Sequence, residues 1–144
     1  MRIGASCLTL LAMVALAPWG GCQELLKPIF PKFKPDPIVI EGEVEGTVPL
    51  GEILKGKGVR GKCEGYSTVH PTYLLPLPQN FAYLNLKVQG EGLVLLVQGP
   101  DGVFCRQENP ELLGMWRAGT YQIWVGTRQK TKTKFRLSFS EMNQ

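Results

Sequence analysis

FAYLNLKVQGEGLVLLVQGPDGVFCRQ, residues Phe81–Gln107, decides the fold. Ala82, Leu84, Leu86 and Val88 alternate with Tyr83, Asn85, Lys87 and Gln89, the two-residue period of a half-buried strand. Gly92–Gln98 is instead a continuous apolar run, as expected of a central strand covered on both faces. The Gly99–Gly102 stretch, GPDG, is a turn: proline presets φ and glycine tolerates positive φ. The VFCRQ segment then returns, and a hairpin is the simplest connection.

The same patterns extend in both directions. In IVIEGEVEGTV (Ile38–Val48), Ile38, Ile40, Val44 and Val48 share one face. In GTYQIWVGT (Gly119–Thr127), Tyr121, Ile123 and Val125 face one way and Gln122 and Trp124 the other. In KFRLSFS (Lys134–Ser140), Phe135, Leu137 and Phe139 point inward and Arg136 and Ser138 outward. After residue 26 no helical period persists beyond two turns. About seven short strands punctuated by glycine and proline predict an all-β, antiparallel, jelly-roll-like β-sandwich over residues 38–144. That length suffices for one domain with one core.

The N-terminus carries a targeting pattern. Arg2 precedes the uncharged run Ile3–Trp19, which is short for a membrane span of about 20 apolar residues but fits a secretory signal. Gly20 and Gly21 lead into Cys22, and the arrangement resembles a bacterial lipoprotein signal, although Trp19 stands where leucine is usual. The resemblance implies a signal peptide over residues 1–21 and lipidation of Cys22, the chain being held in the envelope by its N-terminal lipid. Gln23, rather than aspartate, follows the cysteine and favours the outer membrane by enterobacterial sorting logic. An ordinary cleaved signal or an uncleaved anchor are the alternatives. Residues 22–37 read as the lipidated N-terminus and a linker, in which Lys27–Pro37, with four prolines in eleven residues, is a polyproline-II spacer of about 35 Å. Lys27, Lys32 and Lys34, interleaved with Phe30 and Phe33, also suit contact with anionic headgroups.

Cys7 leaves with the signal and Cys22 takes the lipid, so Cys63 and Cys105 remain, an even pair in an exported chain. They read as one disulfide, with two buried thiols as the alternative. A metal site is not expected from one histidine and no Cys-x-x-Cys. No cofactor is expected. The formal net charge of +4 is not gathered on a helix or beside a base-stacking motif, which excludes nucleic acid as the favoured partner.

The stretches Leu95–Cys105, Asn109–Pro110 and Ala118–Thr127, with Cys63–Leu75 upstream, resemble the bacterial pre-peptidase C-terminal domain and related exported β-sandwich domains. The resemblance implies a non-catalytic accessory module. Some relatives bind calcium, but this chain has Gly92, Leu93 and Val94 before the turn and Arg106, Gln107 and Glu108 after the cysteine. Asp101 and Glu108 alone are too few for calcium's six to eight oxygens.

Catalytic chemistry is poorly supplied. His70 is the single histidine, in VHPTY, and a triad needs a nucleophile and an orienting carboxylate beside it. Glu41, Glu43 and Glu45 share a face and read as a solvated surface or edge protection. Gly56–Cys63, GKGVRGKC, lacks the ending of a phosphate-binding loop and reads as flexible. The expected function is a non-enzymatic envelope module docking on a larger membrane or envelope complex. Trp124 and Trp116 are the candidate anchors, beside a basic rim of Arg128, Lys130 and Lys132 that suits an anionic protein partner. A glycan stacked on the two tryptophans is the alternative, and a small hydrolase the weaker one.

Overall fold

The computed structural model describes residues 23–144. The signal segment over residues 1–21 and Cys22 lie outside them. In chain order the strands are β1 (Glu24–Leu25), β2 (Ile38–Glu45), β3 (Val48–Pro49), β4 (Val59–Arg60), β5 (Tyr66–Ser67) and β6 (Tyr73–Leu77). They continue with β7 (Phe81–Gln89), β8 (Leu93–Gly99), β9 (Gly102–Arg106), β10 (Glu111–Trp116), β11 (Gly119–Thr127) and β12 (Lys132–Ser140). A helix, α1 (Leu50–Ile53), follows β3.

The strands form two facing sheets. The larger has the order β1-β6-β11-β8-β9-β4, with β5 pairing β11 and β3 pairing β5. The smaller has the order β10-β7-β12-β2. The pairings are antiparallel as expected, except for the edge pairs β1–β6 and β4–β9, which run parallel. The fold is thus the all-β sandwich that the alternation predicts.

Alternation places the core. Ile123 and Val125 from β11, Leu95 and Val97 from β8, and Leu84, Leu86, Leu137 and Phe139 from the facing sheet are all buried in one cluster. Each such side chain contributes about 1.5–3 kcal/mol on leaving water. The inward face of β2 has a gap at Gly42, where the Phe135 ring of β12 lies across the backbone. A Cβ there would meet the ring at 2.7 Å.

A second, smaller core lies on the outer face of the large sheet. Val94 and Leu96 of β8, Val103 and Cys105 of β9, and Trp124 of β11 meet Leu50 and Leu54 of α1 and the turn that follows it. This covering explains the continuous apolar run of β8: its odd-numbered residues face the sandwich interior and its even-numbered ones face α1.

Within the described residues, the segment 23–37 is not a free spacer, and this part of the sequence reading is corrected. Glu24 and Leu26 donate their amides to Thr72 O and Leu74 O, and Ile29 donates to Pro76 O. Leu26 and Ile29 are buried in the main core, and the Phe33 ring packs 6.2 Å from that of Phe81. The prolines end the short ladder, since they have no amide to donate. Apolar residues between them nevertheless bury against the sandwich. The segment is tied at its far end as well: Lys32 N donates to Glu141 Oε1 (2.6 Å) and Glu141 N donates to Asp36 Oδ2 (3.0 Å). Among the described residues no helix is long and apolar enough to cross a membrane.

Candidate interaction surfaces

Cys63 and Cys105 form the expected disulfide, with Cα atoms 5.5 Å apart. It fastens the segment after β4 to β9 and closes the second core. Cys105 is buried and Cys63 half-buried there.

Neither tryptophan is exposed, and both partner-anchor assignments are corrected. Trp124 does point away from the main core, as the alternation requires. That outer face is roofed by α1 and its following turn, leaving Trp124 only 3% exposed. Trp116, 4% exposed, packs into the main core with its ring 4.8 Å from that of Tyr121. A glycan platform built on these two rings is removed with them.

The basic rim is also altered. β12 runs beside β2 in a register that sets Lys132 opposite Glu45, Lys134 opposite Glu43 and Arg136 opposite Glu41. Opposite charges across a strand pair attract. Lys132 Nζ lies 3.9 Å from Glu43 Oε1. The EGEVE face is therefore a counter-charge ladder for the C-terminal strand, and Lys132 is engaged within the chain. Arg128 and Lys130 are exposed, and the Lys130 ammonium lies 5.2 Å from the centroid of the Tyr66 ring.

A denser set of cations occupies the β4–β9 edge of the large sheet, in the stretch GKGVRGKC that the sequence presents as a flexible loop. Lys55, Lys57, Arg60 and Lys62 are exposed along the segment from α1 through β4, and Arg106 of β9 joins them. The register of β4 against β9 sets Arg60 opposite Phe104. The Arg60 and Arg106 guanidinium carbons lie 5.3 and 5.9 Å from the Phe104 ring centroid. Arg106 Nη1 donates to Cys105 O (2.9 Å) and Arg60 O (3.3 Å). Lys57 Nζ sits 5.6 Å from the Trp124 centroid and donates to Gln98 Oε1 at 2.8 Å. Ring and carbonyl contacts hold these side chains in place without cancelling their charge. Among the described residues, the ion pairs within 4.0 Å are Arg117–Asp101 and Lys132–Glu43. None of the five cations at this edge belongs to either. The spacing signal was present in the alternation of glycine and cation in GKGVRGK; what made it a surface is the packing of α1 and the disulfide beneath it.

Several other titratable groups make contacts within the chain. His70 Nδ1 lies 3.3 Å from Gln23 Nε2, and the His70 carbonyl accepts from Thr68 Oγ1. Asp101 pairs with Arg117 at 3.0 Å. Burial pushes the Tyr121 hydroxyl above its usual range, Asp101 adding to the effect, and Tyr121 donates to Arg117 O at 2.6 Å. Burial likewise raises the Tyr73 hydroxyl, with Glu24 adding to it, and raises the Glu24 carboxyl itself. Among the described residues no group of three or more His, Cys, Asp or Glu is placed to hold a metal ion.

Fold and cross-link define the class: a disulfide-bonded β-sandwich with a roofed outer face. No family model matches the chain. Over 78 residues, 51% of this chain, it is 36% identical to an uncharacterized protein of Synechococcus elongatus, and the match spans about half, 55%, of that protein's length. Among solved structures, a periplasmic inhibitor of g-type lysozyme from Aeromonas hydrophila is similar with a TM-score of 0.47 and 12% identity, over 83% of this chain and 98% of that one. A likeness at that level says nothing of what this chain binds.

Proposed function

We propose that this chain is an exported, lipid-anchored, non-enzymatic binding module of the bacterial envelope, whose cationic edge takes the acidic surface of a larger envelope protein. The carrying observation is the cluster of Lys55, Lys57, Arg60, Lys62 and Arg106, which no carboxylate of the described chain neutralises in an ion pair. A rigid arginine–phenylalanine stack is pre-organised, so little side-chain entropy is lost when a carboxylate arrives. Export is supported by the apolar N-terminal run ending at Cys22 and by the disulfide, which persists in oxidising compartments. Gln23 after the cysteine, rather than aspartate, supports outer-membrane sorting by enterobacterial logic. The strand pattern and disulfide agree with an accessory module of the pre-peptidase C-terminal type. A hydrolase finds little support at His70, whose ring contacts Gln23 rather than a carboxylate.

The test is co-purification of the full chain with native membranes, comparing wild type with a triple variant, Lys57→Glu, Arg60→Glu and Lys62→Glu. Wild type is expected to retain one stoichiometric protein. The variant is expected to lose it at an unchanged melting temperature, and raised salt is expected to weaken capture. Retention of the same protein by the variant, or capture indifferent to salt, contradicts the proposal.

A further inference from the structure

The N-terminal segment leaves a second feature on the other side of the sandwich. β1 and β4 are opposite edges of the large sheet, and β2 and β10 are opposite edges of the small one. The cationic cluster belongs to the β4–β9 edge. Alongside β2, and built largely from the segment that follows β1, runs an open apolar groove of about 860 Å³. Its walls include Leu26, Ile29, Phe33 and Phe139. At its lip Leu25 is 68% and Phe30 48% exposed. Lys27, Lys32 and Lys34 also line it and are exposed, and no aspartate or glutamate does.

We infer that this face is a docking surface for an anionic lipid bilayer, with Leu25 and Phe30 entering the headgroup region and Lys27, Lys32 and Lys34 meeting lipid phosphates. Apolar side chains ringed by lysines, lying flat along a surface, are what an interfacial anchor requires. Charge decides the occupant. A second copy of this chain would set three lysines against three lysines with no carboxylate lining either groove. The nearby acids Asp36 and Glu141 are held by backbone amides of the chain: Asp36 Oδ2 accepts from Glu141 N, and Glu141 Oε1 accepts from Lys32 N. Position agrees, since only Gln23 separates Cys22 from β1 in the sequence and its lipid would enter the bilayer beside Leu25. The packed segment thus sets the sandwich against the membrane and turns the cationic β4–β9 edge away from it. The inference rests on the anchoring reading for the place of Cys22 alone.

The experiment uses the full chain isolated from membranes and returned to vesicles carrying brominated acyl chains. One set is phosphatidylcholine, the other phosphatidylcholine mixed with phosphatidylglycerol. A tryptophan is placed at position 30 (Phe30→Trp) or, on β10 at the far edge, at position 113 (Leu113→Trp). Quenching is expected at position 30 and not at position 113, in the anionic vesicles only, and it should fall with salt. Each of Lys27→Gln, Lys32→Gln and Lys34→Gln should lower the docking constant about fivefold. Equal quenching at the two positions, or quenching at position 30 indifferent to phosphatidylglycerol, overturns the inference. Intact mass of the same sample keeps the two readings apart. An unlipidated chain that is still quenched at position 30 supports docking and sinks the anchor; a lipidated chain quenched equally at both positions does the reverse.

Discussion

Trp124→Ala is expected to destabilise the domain by about 3–5 kcal/mol, the range for removing a fully packed tryptophan. The side chain is 3% exposed and fills the second core between Val94, Leu96, Val103 and Cys105 below and Leu50 and Leu54 above. Its indole Nε1 donates to Val69 O at 3.4 Å, a contact that truncation also removes. Against a total stability of roughly 5–15 kcal/mol this is a large fraction. Urea denaturation followed by circular dichroism reads it as a lower midpoint at unchanged slope. Loss of partner capture with an unshifted midpoint would make Trp124 a surface anchor after all, and the roof over it would be wrong.

Removing the cross-link, by Cys63→Ser together with Cys105→Ser, is expected to cost about 2–5 kcal/mol. Cys63 and Cys105 stand 42 positions apart, and the segment between them contains β5, β6, β7 and β8, so the unfolded chain gains much freedom when the bond goes. Denaturation with and without reductant measures the effect. Two alkylatable thiols in the native oxidised protein would contradict it. Because both half-cystines share the second core with Trp124, the two sets of changes should not add, and the shortfall measures their coupling.

These positions also show what the sequence made legible. Phe81–Gln89 and Gly119–Thr127 are strands with the bounds that alternation suggests, because half-buried strands write a two-residue period directly. Trp124 was assigned the correct side of its strand and the wrong environment. Alternation says which way a side chain points; it does not say what lies over it. The roof is a four-residue helix and a turn, too short to leave a helical period. β6, YLLPL, is the strand that follows the VHPTY turn, and it carries Pro76 although proline is disfavoured in the middle of a sheet. Here Pro76 O still accepts from Ile29 N, and its missing donor lies near the short outer strand β1. β10, ELLGMW, escaped because Gly114 interrupts it, where the register against β7 shifts. The N-terminal segment misled by composition. Four prolines announced a spacer, while Leu26, next to β1, and Ile29, between Pro28 and Pro31, were enough to fasten it down.

The functional residues follow the same logic. Lys132 looked free in RQKTKTK, and only the register of β12 against β2 reveals its counter-charge. The cations from Lys55 to Lys62 become a surface only when the parallel β4–β9 pairing brings Arg60 and Arg106 to the same ring.

The central claim is a stapled sandwich held to an envelope membrane at its N-terminus, with its cationic edge facing away. Intact-mass analysis of the full chain extracted from native membranes tests it most directly. The account predicts a chain that begins at Cys22, carries acyl mass on that residue, and yields linked Cys63 and Cys105 in non-reducing peptide maps. A chain that begins at any other residue and carries no lipid would contradict it.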